Sequence, residues 1–170
     1  MDEARHRTTK TELLGMLWLC GQLTQAGVET ASPARDTGID LISYDLDVNW
    51  VVPIQLKVIN TGGVRVEAKY LGKTLALIYL LLGARDGGPA NRADTSAYLL
   101  TPEQAWALPV ELGRKFSPDD HLYYNCGLPR LLLARLARYR VQPAEWATRL
   151  QEIALRWAQE GPGGEDTEAA

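Results

Sequence analysis

A chain of 170 residues is the size of one ordinary domain and can bury one sizeable core. Its hydrophobic fraction of 46% excludes general disorder, and its only cysteines, the widely separated Cys20 and Cys126, exclude a cysteine-ligated zinc site. The net charge of −3 is concentrated at one end: Glu160, Glu165, Asp166 and Glu168 crowd the C-terminal tail, and without them the remainder carries +1. A nucleic-acid partner is therefore not excluded by charge.

Residues 1–9 are polar and expected to fray, and they lack the clean apolar run of a signal peptide. Thr8 or Thr9 caps a helix that runs to about Gln25 and stops at Gly27. Along it Glu12, Met16, Leu19 and Leu23 fall on one stripe, so an acid heads an otherwise apolar face. Residues 28–30 are extended. Two strands follow at 39–44 and 50–59, separated by Asp45-Leu-Asp-Val-Asn49, which reads as a hairpin. Gly62-Gly63 turns the chain into an alternating strand at 64–68.

The apolar run at 75–82 reads as a fully buried central strand. It is too short to cross a bilayer, so the protein is expected to be soluble and cytoplasmic, with no membrane partner. Residues 84–94 form a surface loop, and a strand at 96–100 leads to Thr101-Pro102-Glu103, an N-cap, a first-turn proline and a first-turn acid. The remainder reads as two proline-opened helices, at 129–140 and 143–159. They carry Arg130, Arg135, Arg138, Arg140, Arg149 and Arg156 against Glu145 and Glu152. This basic segment suits a phosphate-contacting face, with Arg135 and Arg138 the nominated contacts, although solvated faces of amphipathic helices would look the same. The Gly/Pro/acid tail, 160–170, is expected to be disordered. Helix, strands and helices in this order indicate one α/β domain over residues 8–159, with a mixed sheet.

The residues that suggest chemistry lie on the hairpin. Gln55 and Lys57 are two apart and project from one face of their strand. Symmetric pairing about the loop places Asp40 opposite Gln55. Three polar groups on otherwise apolar strands need partners, because burying them unpaired is costly. A divalent cation on the oxygens and a phosphate on the lysine would satisfy all three. Each group also has a plain structural reading: Glu12 as a first-turn acid, Asp40 as a turn residue, and Gln55 with Lys57 as the wet face of an edge strand.

The ordered set comprises Glu12 on a leading helix, Gly38-Ile-Asp40 at a strand start, Gln55-Leu-Lys57 in the next strand, and Tyr98-Leu-Leu-Thr-Pro-Glu103 at a later strand-to-helix step. It resembles the PD-(D/E)xK nuclease superfamily, which includes restriction endonucleases and Holliday-junction resolvases, over residues 8–108. The resemblance implies a restriction-endonuclease-like core, a central mixed sheet flanked by helices, with residues 129–159 as a helical extension. It implies a nuclease hydrolysing DNA phosphodiester bonds with Mg²⁺ or Mn²⁺, and a homodimer is an assembly common among such enzymes. Asp40 and the main-chain carbonyl of Leu56 would ligate the metal, Glu12 and Gln55 would complete or orient the shell, and Lys57 would be the catalytic lysine. Gln55 departs from the usual Asp or Glu, as in Gln-x-Lys branches, and removes one negative charge. The rival expectation is a catalytically inactive protein of the same fold that binds nucleic acid or another protein.

Two other motifs fail on context. Asp36-Thr37-Gly38 matches the aspartic-protease triplet, but Ala34-Arg35 is no supporting apolar strand. Gly72-Lys73-Thr74 resembles the end of a phosphate-binding loop, yet Glu67 stands where that motif needs glycine.

Overall fold

The computed structural model describes residues 2–35, 38–59, 64–82, 95–111, 124–126 and 130–160. Helix α1 spans Asp2–Gln25. It begins well before the expected cap at Thr8 or Thr9, since no glycine or proline interrupts the chain ahead of Gly15. It ends as anticipated. Gly27 adopts φ +75°, Gly27 N–H donates to Thr24 O at 3.1 Å, and Val28 N–H donates to Leu23 O at 2.9 Å. These paired bonds satisfy the last carbonyls and reverse the chain into β1 (Glu29–Ala31).

Strands β2 (Leu41–Tyr44) and β3 (Val51–Ile59) form the hairpin. Leu41 pairs with Ile54 and Tyr44 with Val51, the register that symmetric pairing about the loop requires. Inside that loop Asp45 accepts the Asn49 backbone N–H at 2.6 Å and its side-chain amide at 2.8 Å, which holds the turn. The short β4 (Val64–Val66) leaves the sheet and pairs with β7 (Tyr124–Cys126). The chain then makes a 3₁₀ turn at Ala68–Tyr70, where a continued strand to Ala68 was expected, and returns as β5 (Ala76–Leu81). The return sets β5 parallel to β3, with Gln55 beside Leu77 and Lys57 beside Tyr79. Strand β6 (Ser96–Leu100) runs antiparallel to β5 and leads into α2 (Pro102–Glu111). The N-cap is reciprocal: Thr101 N–H donates to Gln104 Oε1 at 2.9 Å, and Gln104 N–H to Thr101 Oγ1 at 3.3 Å.

The C-terminal segment differs most from expectation. Helix α3 stops after Arg130–Leu136, a 3₁₀ turn covers Ala137–Tyr139, and Arg140–Val141 form a two-residue strand, β8, beside β6. Val141, in the expected link between helices, is buried against Ala97, and this sheet pairing ends the helix before the expected Arg140. After a 3₁₀ turn at Pro143–Glu145, α4 runs over Trp146–Glu160. The expected loop at 84–94 and all of the tail but Glu160 lie outside the described residues.

The result is an α/β arrangement with a six-stranded mixed sheet in the order β1-β2-β3-β5-β6-β8. One face packs on α1 and α4 through Leu19, Leu23, Ile54, Ile78, Leu80, Trp146 and Leu150. The other packs on α2 and α3 through Tyr70, Leu77, Tyr79, Leu100, Leu108 and Leu136. Helix α1 comes unusually close to the sheet: a Cβ on Gly15 would stand 2.4 Å from Val58 Cγ2. Among the described residues no helix is long and apolar enough to cross a membrane.

Candidate functional site

Alternation along β3 divides its side chains between the two layers. Ile54, Leu56 and Val58 face α1 and α4, whereas Gln55 and Lys57 face the layer that contains Tyr70. Strand β2 ends before β3 does, and Asp40, just outside it, still donates its N–H to Ile54 O at 2.9 Å. Beyond that bond the Asp40 carboxylate replaces a neighbouring strand: Asp40 Oδ2 accepts Leu56 N–H at 2.7 Å. Gly38 makes this approach feasible. Its φ of +80° suits glycine, and a Cβ there would lie 3.4 Å from Tyr70 Oη.

Gln55 is only 5% exposed, and both ends of its amide are engaged. Nε2 donates to Asp40 Oδ2 and, at 3.3 Å, to Leu56 O. On the other side Tyr70 Oη donates to Gln55 Oε1 at 2.7 Å. One nitrogen therefore touches both the aspartate oxygen and the main-chain carbonyl named as metal ligands. Two oxygens from different strand segments converge on one point.

Lys57 stands next along the same face. Its Nζ is 3.5 Å from Glu67 Oε1 and 5.6 Å from the centre of the Tyr70 ring. Lys69 approaches the same carboxylate at 2.6 Å and the same ring at 4.9 Å. The hydrogen bond to Glu67 raises the Lys69 pKa and keeps it charged. Tyr79, beside Lys57 in the sheet, is held neutral, because burial pushes its hydroxyl far above the usual range.

Asp40, Gln55, the Leu56 carbonyl and Lys57 thus gather on one side of the sheet. Glu12 does not join them by any described bond. It is exposed on α1, one turn before Gly15, in the layer across the sheet. Arg135 is exposed at the end of α3, on the side of the sheet that carries the site. Arg138 bonds to Glu111 at 2.6 Å, which raises its pKa, and its guanidinium lies 4.7 Å from the centre of the Tyr139 ring. Arg138 already has an acidic partner.

Sequence reasoning missed Glu67 and Tyr70. The available signal was the polar run Glu67-Ala-Lys-Tyr70 directly after a glycine-turned strand, but nothing in it specifies the side of the sheet on which the crossover returns. The rejected phosphate-loop match is engaged elsewhere: Gly72 N–H donates to Glu103 Oε1 at 3.1 Å. Asp36 and Thr37 of the protease-like triplet lie outside the described residues.

Among the described residues no three His, Cys, Asp or Glu side chains gather as a metal-binding group, so a cation here would rely on Asp40 together with amide and carbonyl oxygens. No family model, curated protein or solved structure matches this chain.

Proposed function

We propose that this chain is a metal-dependent nuclease with a restriction-endonuclease-like core, hydrolysing DNA phosphodiester bonds at the Asp40–Gln55–Lys57 face. The observation that carries the reading is the convergence of Asp40 Oδ2 and Leu56 O on a single atom, Gln55 Nε2, with Lys57 on the same face. The donor set fits a small hard cation: Mg²⁺ takes carboxylate and carbonyl oxygens and keeps several waters, so one carboxylate and two neutral oxygens suffice at modest affinity. Asp40 and the Leu56 carbonyl would hold it, and Gln55 would contribute Oε1 after its amide turns over.

When bound, Mg²⁺ or Mn²⁺ supplies charge neutralisation at the phosphate and a water of lowered pKa. The protein's own contribution is orientation and charge. Asp40 Oδ2 accepts Leu56 N–H, which favours a carboxylate position close to the carbonyl. Lys57, held between Glu67 and the Tyr70 ring, presents an ammonium that would bind a non-bridging phosphate oxygen as negative charge grows there. Hydrolysis adds water across one P–O bond and leaves a phosphomonoester and a hydroxyl. Arg135, beside the site layer and exposed, is the better placed of the two nominated arginines to hold a flanking phosphate, since Arg138 would first have to leave Glu111.

One observation favours the inactive rival. Gln55 satisfies Asp40 and Leu56 O from within the protein, leaving the network complete without a metal. Cleavage of duplex, branched and single-stranded DNA with Mg²⁺ or Mn²⁺ decides between them. The nuclease reading expects cutting that Asp40→Ala and Lys57→Ala each abolish, with Mn²⁺ binding lost only in the former. A wild type that cuts none of these substrates, or variants that cut equally well, would overturn it.

A further inference from the structure

An amide nitrogen carries two hydrogens, and at Gln55 two oxygens, Asp40 Oδ2 and Leu56 O, are placed to receive them. The amide oxygen faces the other way, toward Tyr70 Oη at 2.7 Å. A phenolic hydroxyl both donates and accepts, so Tyr70 can serve the opposite end of this amide equally well. Both side chains are buried, Gln55 at 5% and Tyr70 at 3% exposure, so each orientation needs its partners supplied by the protein.

Turning the amide over would bring Oε1 against Asp40 Oδ2 and Leu56 O. Three oxygens would then face one point, which repels unless a cation occupies it. The orientation of the amide and the occupancy of the site are therefore coupled.

We propose that Gln55 is a reversible plug of the cation site: its Nε2 fills the site when no metal is present, and its Oε1 becomes a ligand when one binds, with the Tyr70 hydroxyl serving both states. The proposal rests on the metal-dependent reading given above and deepens it. It gives the Gln-x-Lys departure a physical role. A glutamate here would leave two carboxylates facing each other in the empty site, whereas the amide closes that site with its own donors. The plug exchanges cation affinity for a metal-free site in which Asp40 Oδ2, Leu56 O and both ends of the Gln55 amide are hydrogen-bonded.

The test uses the full chain labelled with ¹⁵N. The Gln55 side-chain amide signal is assigned by its disappearance in Gln55→Glu, and MgCl₂ is titrated. The plug expects this signal to shift together with the Leu56 backbone amide, and both shifts to vanish in Asp40→Asn. It also expects Gln55→Glu to melt at a lower temperature in EDTA, to gain more from added Mg²⁺ than the wild type, and to bind Mg²⁺ on the order of tenfold more tightly. Gln55→Met keeps the test open should the glutamate variant fail to fold: it removes the donors to Asp40 Oδ2 and Leu56 O, so it should melt at a lower temperature than the wild type in EDTA. A Gln55→Met variant that melts in EDTA at the wild-type temperature would overturn the closure of the empty site by Gln55. An Asp40-dependent shift at Leu56 without movement of the Gln55 amide would overturn the plug while leaving the metal site standing. If Mg²⁺ causes no Asp40-dependent shift at all, the metal reading fails and the plug fails with it.

Discussion

The two faces of this sheet are built on different principles. The face under α1 and α4 is mainly apolar: Ile54, Ile78, Leu80, Leu19, Leu23, Trp146 and Leu150 fit together, and the buried Ser43 on β2 satisfies its hydroxyl by donating to Val52 O at 2.9 Å. The face under α2 and α3 has an equally buried apolar floor, but it also contains Gln55, Tyr70 and Tyr79 and is bordered by Lys57 and Glu67. The first face depends on shape, and its stability is spread over many small contacts. The second depends on a short chain of hydrogen bonds in which every member needs its neighbour. The polar face is the one on which the chemistry is proposed.

Substitutions can break that comparison. The largest effect is expected on the apolar face. Trp146→Ala empties a fully buried site and should destabilise the fold by about 3–5 kcal/mol in chemical denaturation, with no change beyond that in Mg²⁺ binding by the folded fraction. On the polar face Tyr70→Phe preserves the ring and removes one hydroxyl. It should cost about 1–3 kcal/mol, because Gln55 Oε1 is left buried without its donor. Should Tyr70→Phe prove neutral, the network would be ornamental and the contrast between the faces would collapse. The smallest effect concerns DNA. Arg135 lies on the site layer and Arg149 on α4 across the sheet, where it pairs weakly with Glu152 at 4.0 Å. Arg135→Ala should reduce the slope of log binding constant against log salt by about 0.9 on duplex DNA, while Arg149→Ala leaves it unchanged. Equal slopes would remove any preference between the faces.

Part of this arrangement was legible in the sequence, for definite reasons. The hairpin could be read because its loop fixes the register and the two-residue alternation fixes the face, which brought Asp40 to Gln55. The buried strand β5 could be read from its unbroken apolar run. Tyr70 and Glu67 could not be assigned to the site. They arrive through a 3₁₀ turn inside a parallel crossover, and alternation along a strand says nothing about where such a crossover lands. Strand β8 was hidden for a different reason: Arg140 reads as the end of one helix and Val141 as the link to the next, and only the edge of β6 makes the pair a strand. The stripe on α1 was read correctly at Leu19 and Leu23, both fully buried, while Glu12 at its head is exposed.

The apolar face has a consequence for how the protein is made. Its cluster joins Leu19 and Leu23 of α1 to Trp146, Leu150 and Ile153 of α4, which lie at opposite ends of the described chain. Synthesis is vectorial, so the inner stripe of α1 emerges from the ribosome long before the helix that covers it. The sheet can pair strand by strand in the meantime, but this layer stays open until almost the last described residue has been added. For much of its translation the nascent chain therefore displays an uncovered apolar sheet face beside a loosely anchored helix, a surface that chaperones recognise and that aggregation exploits.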